Sequence, residues 1–319
     1  MAVFDWKSTF RPNFKMLKIL GLWPDNHDGY KFDWYALYTL FCVNLCFIAP
    51  NFTQIVDLFL NTSNLETFTA RIFLTLSEIM VPIKAFCHIK NISKGKELTQ
   101  KLNASIFQPK TVTQRNLAQD QLNIWKASFR IFCVSCFMAS VLEFSFPILD
   151  GTYKEFRLAI PAWFPYDFKR SPYFHITYLY QTVSVSFLTT ADVILDMFVV
   201  ALIIFVNAQC DILCDELKNN LSCRNFHSKF LQCVEHHKAI LSFKETINSS
   251  YEMVIFWQTL VSSLAMALTM FHLTVVKFES SEVYGTVMCG MATSLEIALY
   301  CWFGNEAELK VQLLPKRES

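Results

Sequence analysis

Asp192 and Asp196 lie four residues apart in "TTADVILDMFVV", inside the longest apolar run of the chain. A separation of four is about one helical turn, so the two carboxylates share one helix face. Paired carboxylates in a membrane can do acid–base work, in a protease or a proton relay. Proteases of that kind need aspartates on two different helices, typically with a Gly-x-Gly-Asp motif, and that motif is absent from the sequence. The simpler reading is that both aspartates face a hydrated cavity or pair with a neighbouring helix.

A second group of chemically capable residues comprises Cys210, Cys214, Cys223, Cys233, His227, His236 and His237. Zinc uses such side chains, but no Cys-x-x-Cys and no His pair at the spacing of a structural site occurs here. Cys210 and Cys214 stand one turn apart beside Leu213, Leu217 and Leu221, which is the pattern of a packed helix. The sequence also lacks Gly-x-Ser-x-Gly, a Gly-rich phosphate loop and His-Glu-x-x-His, so it makes no case for an enzyme. No catalytic residue, metal or cofactor is predicted. Glu143, in "SVLEFSFPILD", is a lone carboxylate among Leu142, Phe144 and Phe146. It costs a few kcal/mol within a bilayer unless paired or wet, so it either lines a cavity or snorkels to the interface.

These residues must be positioned by membrane-spanning helices. Only 17% of the 319 residues are charged, 53% are hydrophobic and the mean hydropathy is +0.30, whereas soluble domains carry about 25% charge. A net charge of +1 gives no reason to expect nucleic acid. A spanning helix needs ~20 apolar residues, and six segments meet that: 34–60, 69–89, 131–149, 176–206, 253–276 and 283–303. The predicted fold class is therefore an all-α, multi-span transmembrane helix bundle forming a single domain. The second span is the weakest, because it carries Arg71, Glu78 and Lys84. The fourth exceeds the bilayer thickness and should tilt or extend beyond it.

Nineteen of the 28 Lys and Arg lie in the N-terminal arm, in 90–124, in 207–252 and after Phe303, against five in the alternate loops. This asymmetry predicts a cytoplasmic N-terminus. The start "MAVFDWKSTFRPNFKMLKIL" is broken by charge and does not read as a signal peptide. None of the 11 Cys falls in an outward loop, so no disulfide framework is expected. Among the glycosylation sequons only Asn61 faces outward. No internal repeat is visible, which disfavours an inverted-repeat transporter. Segments 207–252 and 304–319 are predicted cytoplasmic extensions. In the first of them Phe226, Phe230, Val234, Leu241 and Ile247 recur at helical spacing, as in an amphipathic helix that runs into the fifth span.

Five stretches taken in order resemble one family. They are "NFKMLKILGLWP", "PAWFPYDFKRSPYF", "AQCDILCDEL", "CVEHHKAILSFKETIN" and "YCWFGNE", and together they resemble an insect odorant receptor from end to end. The resemblance implies an odorant-gated cation channel subunit with seven spans in the plasma membrane of sensory neurons. It implies assembly with a shared co-receptor as a heterotetramer, with the helix ends, here Tyr300, Cys301, Trp302, Phe303, Gly304, Asn305 and Glu306, forming the subunit contact. It also implies binding of small volatile odorants in the outer half of the bundle. The residues offered there are Phe73, Ser77, Met80, Met138, Leu142, Glu143, Phe146, Tyr178, Phe187, Tyr284 and Met288. Their aromatic and Met side chains give adaptable apolar contacts.

In that family a cytoplasmic turn follows "CWFGNE" and leads into the seventh span. "AELKVQLLPKRES" supplies only the turn's beginning, so this chain is expected not to conduct while it keeps the pocket. It would then be a non-conducting form or a fragment. A receptor of the G-protein-coupled type is the rival reading. It places the N-terminus outside, against the charge count, and the Asp-Arg-Tyr-like motif expected after its third span is missing.

Overall fold

Each of the six apolar runs forms a helix long enough to cross a bilayer. The computed structural model describes residues 3–26, 30, 32–60, 65–220, 226–275 and 282–316, and the secondary structure among them is helical throughout. The elements are α1 (Trp6–Ile19), α2 (Trp34–Cys42), a π-helical turn (Val43–Ile48), α3 (Ala49–Leu60), α4 (Leu65–Lys90), α5 (Ile92–Lys101), α6 (Val112–Leu149), α7 (Tyr173–Asn220), α8 (Phe226–Val275) and α9 (Glu282–Lys316). Asn61 and Cys223 lie outside the described residues, as do most of the two short loops at 61–68 and 277–282.

Three helices run well past their apolar stretches. At 38, 48 and 50 residues, α6, α7 and α8 far exceed the ~20 that a bilayer core needs. The amphipathic segment and the fifth span are thus one helix, α8. A Thr111 side chain that accepts from Gln114 N at 3.2 Å starts α6, and Asp33 does the same for α2 through Ala36 N at 2.9 Å, each satisfying an N-terminal amide. The first span is continuous from Trp34 to Leu60 but widens into the π-helical turn just before Pro50. Proline removes one ladder N–H and crowds the carbonyl four residues back.

The central helix is α7. In its most apolar stretch 94% of residues are buried, against at most 39% in any other membrane-length helix. Val193, Ile194, Phe198, Ile204 and Phe205 contact partners all round, as expected of a helix apolar on every face.

The N-terminal arm contributes α1, whose charges alternate with Trp6, Phe10, Asn13 and Leu17 on one buried face. Trp6 packs edge-on to Phe205 and Phe10 edge-on to Trp125, with centroids 5.0 Å apart in both pairs. Asn13 Nδ2 donates to the Ile194 carbonyl at 3.0 Å. Gly21 turns the chain toward α2 with φ +79°, and a Cβ there would meet Thr39 Cα at 3.1 Å. Only glycine suits that position.

At the opposite end, residues 150–172 fold over the helix ends. A small cluster of Phe144, Leu158, Ile160, Phe174 and Tyr178 holds them. The turn predicted after Phe303 is instead continuous helix, since α9 runs on to Lys316. Lys310 stabilises it by pairing at 2.8 Å with Glu306 one turn back and with Asp211 of α7.

Candidate functional site

The charges that weaken the second span each find a partner on another helix. Arg71 Nη1 lies 3.2 Å from Asp57 Oδ2 of α3. Glu78 accepts from Gln54 Nε2 of α3 at 2.7 Å. Lys84 is the most engaged of the three. Its Nζ donates to Asp192 Oδ1 at 2.6 Å, Asp196 Oδ1 at 2.8 Å and Glu296 Oε1 at 3.0 Å. The aspartate pair therefore does share a face and does pair with neighbouring helices. The three carboxylates are close enough to share one cation, and the Lys84 ammonium is that cation.

Neutral donors complete the cluster. Tyr300 donates to Asp196 Oδ1 at 2.9 Å, and Ser262 donates to Glu296 Oε2 at 3.2 Å. Gln258, one turn before Ser262 on α8, uses Nε2 for both Glu296 Oε1 and Ser262 Oγ. Lys84, Asp196 and Glu296 are all buried. In so dry a setting ion pairs hold only when each partner is hydrogen-bonded, and removing one partner strands the rest. The cluster ties α4, α7, α8 and α9 together at one level of the bundle.

A cavity of about 70 Å³ opens beside it, room for a few waters or a ligand of a few heavy atoms. One side presents Ser77, Asp192, Gln258, Ser262, Thr293 and Glu296. The other presents Leu76, Met80, Phe132, Cys136, Val261 and Ala292. The lining is thus divided evenly, polar on one side and apolar on the other.

Of the residues expected to contact ligand, Ser77 and Met80 lie on this cavity. Phe73 is buried one turn beyond Ser77, with its ring 5.8 Å from His272. Glu143 faces Gly285 of α9, where an added Cβ would sit 3.4 Å from Glu143 Oε2. Phe146 and Tyr284 pair nearby with centroids 6.4 Å apart, and Leu142 and Met288 are half-buried. Tyr178 belongs to the cluster under residues 150–172 and donates to the Phe144 carbonyl at 2.6 Å. Phe187 packs against the main core. Met138 is exposed on the bundle surface. These eleven residues thus do not form a single lining. Glu296, Gln258 and Ser262 were not anticipated, although an isolated Glu in an apolar run is itself a signal.

The residues expected at the subunit contact divide by face. Tyr300 and Phe303 point into the bundle, Gly304 and Glu306 are half-buried, and Cys301, Trp302 and Asn305 are exposed. In the segment from Cys210 to His237, Cys210 and Cys233 are buried in the core. His236 Nε2 meets Gln209 Oε1 at 3.0 Å, and its Nδ1 lies 3.5 Å from Glu216 Oε2. Among the described residues, no metal-holding group forms there.

Fold and site together define a multi-pass, all-helical membrane protein with a small, half-polar cavity inside the bundle. The chain belongs to the 7tm odorant receptor family, whose family model matches residues 64–316. It is 21% identical to odorant receptor Or1 of Anopheles gambiae over 333 aligned residues, covering 95% of this chain and 79% of that protein. The fold is that of the insect olfactory receptor OR5 from Machilis hrabei, with a TM-score of 0.84 at 20% identity over 96% of this chain and 82% of that one. The structure of OR5 in complex with eugenol aligns with a TM-score of 0.80 at 19% identity, over 93% of this chain and 79% of that one.

Proposed function

We propose that this protein is an odorant-binding subunit that, with a co-receptor, gates a cation channel in the plasma membrane of olfactory neurons, with its N-terminus in the cytoplasm. The observation that carries the reading is the odorant-receptor fold, with a small, partly polar cavity inside its bundle. OR5 is solved in complex with eugenol, a small molecule with one aromatic ring and few polar groups. The ligand contacts Ser77 and Met80, with Phe73 one turn along α4 and with Leu142, Glu143, Phe146, Tyr284 and Met288 on α6 and α9 as further candidate contacts. The exposed stripe at Cys301, Trp302 and Asn305 meets the partner subunit. The excess of Lys and Arg on the arm and on segments 90–124 and 207–252 supports the cytoplasmic N-terminus.

The test is co-expression with the co-receptor in cells that lack other odorant receptors. Odorant-evoked cation current that requires this chain is the expected result. The absence of any response across a broad panel of volatiles, with both chains at the cell surface, would refute the reading. An N-terminal epitope tag accessible on intact cells would refute the orientation.

A further inference from the structure

We propose that His236 of α8 and Glu216 of α7 hold one proton between them and act as a pH-sensitive latch joining the two helices beyond the apolar run 176–206. The latch is separate from ligand binding. It rests on the receptor reading only for its side of the membrane, which that reading makes cytoplasmic.

Gln209 sets the hydrogen-bond directions. Its Nε2 donates to the Phe107 carbonyl at 3.2 Å, so Oε1 is the atom turned to His236 Nε2, 3.0 Å away. An amide oxygen only accepts, hence the imidazole Nε2 carries a hydrogen. A neutral ring has one N–H, which leaves Nδ1 as a bare acceptor. Nδ1 lies 3.5 Å from Glu216 Oε2, and an ionised carboxylate also only accepts. Two acceptors would then face each other, and neither atom has a hydrogen-bond partner of its own.

Burial makes that arrangement unfavourable. His236 is 3% and Glu216 7% exposed, and the Phe107 ring lies 5.8 Å from the imidazole. Lys110 Nζ pairs with the other carboxylate oxygen, Glu216 Oε1, at 2.8 Å, and leaves Oε2 unserved. The remaining charges of the packed helices are engaged elsewhere or exposed. Lys310 holds Asp211 at 2.8 Å, Gln114 Nε2 donates to Asp215 at 3.1 Å, and Lys244 pairs with Glu308. Glu235 and Lys238, beside His236 on α8, are exposed. One added proton on Nδ1 turns two opposed acceptors into a charge-assisted N–H···O contact and satisfies both buried atoms.

The direction of the pH effect follows. The folded chain holds a proton that an ordinary imidazole, titrating at about 6.5, gives up near neutrality. Stabilisation by the latch is therefore full in mild acid and is lost as pH rises, because the folded state binds more protons than the unfolded one.

The test uses the full purified chain in mixed micelles, unfolded with SDS at about pH 6.5 and about pH 7.5. The wild-type unfolding constant should rise between those values by about fivefold more than that of His236→Gln, the effect of one retained proton. Glu216→Gln, whose amide donates to a neutral Nδ1, should lose the same fivefold, and either variant decides alone if the other does not fold. Equal pH dependence in wild type and variant would overturn the proposal, and so would a wild-type change of opposite sign. If the fivefold difference appears while no volatile evokes current, the latch stands and the receptor reading fails. If it is missing while volatiles evoke current, the latch fails and the receptor reading stands.

Discussion

Lys84 Nζ and Asp196 Oδ1 lie 2.8 Å apart although 112 residues separate them in the chain. That contact joins the second span to the fourth, and through Glu296 to the sixth, inside the bundle. Replacing Lys84 by Met should therefore leave three carboxylates crowded together and cost about 3–5 kcal/mol. The expected readout is loss of monodisperse protein on detergent extraction, or a large fall in melting temperature. Unchanged melting would mean that the cluster does not hold the helices together.

Arg71 and Asp57 pair across α4 and α3 at 3.2 Å. Arg71→Ala and Asp57→Ala should each destabilise the protein, and the double variant should lose less than the sum, with a coupling of about 0.5–3 kcal/mol. Additive losses in thermal unfolding would show that the pair does not interact.

Ser77 and Met80 lie on the cavity and Met138 is exposed on the bundle surface. Met80→Ala and Ser77→Val should shift odorant potency by about tenfold, from one lost apolar contact or hydrogen bond. Met138→Ala should leave potency within about threefold. Dose–response currents in the co-expressed receptor decide this, and the reverse ranking would place the pocket elsewhere.

Trp6 is fully buried against Phe205 while Ile19, on the same short helix, is 46% exposed. Trp6→Ala should cost about 3–5 kcal/mol, the usual loss for a large aromatic removed from a packed core. Ile19→Ala should stay within about 0.5 kcal/mol. Equal effects in a melting assay would mean that the arm is not part of the core.

Trp302, within α9, is 71% exposed, and aromatic residues of this kind anchor interfaces. Trp302→Ala should reduce co-purification with the co-receptor several-fold and leave the melting of the isolated chain unchanged. Undiminished co-purification would remove this face from the proposed contact.

Apolar run length is a local property, so six membrane-length helices and an all-α architecture were legible in the sequence. The continuity of the amphipathic segment with the fifth span was legible too, because both follow one helical period. The pairing of Asp192 with Asp196 was readable for the same reason, since four residues make one turn on a single helix. What the sequence did not determine was where Lys84 and Glu296 lie. Each stands on a different helix far away in the chain, and only the packing of α4 and α9 against α7 brings them onto the aspartates.

The arm reads as charged because Arg11, Lys15 and Lys18 break its hydropathy. Its buried stripe of Trp6, Phe10, Asn13 and Leu17 acquires meaning only against the face of α7. The candidate ligand residues show the same limit. Ser77 and Met138 each sit in an apolar helix, and helical period alone does not say which face turns inward. Tertiary packing decided that, because in a bilayer the lipid side and the interior of a helix are both apolar and composition cannot tell them apart.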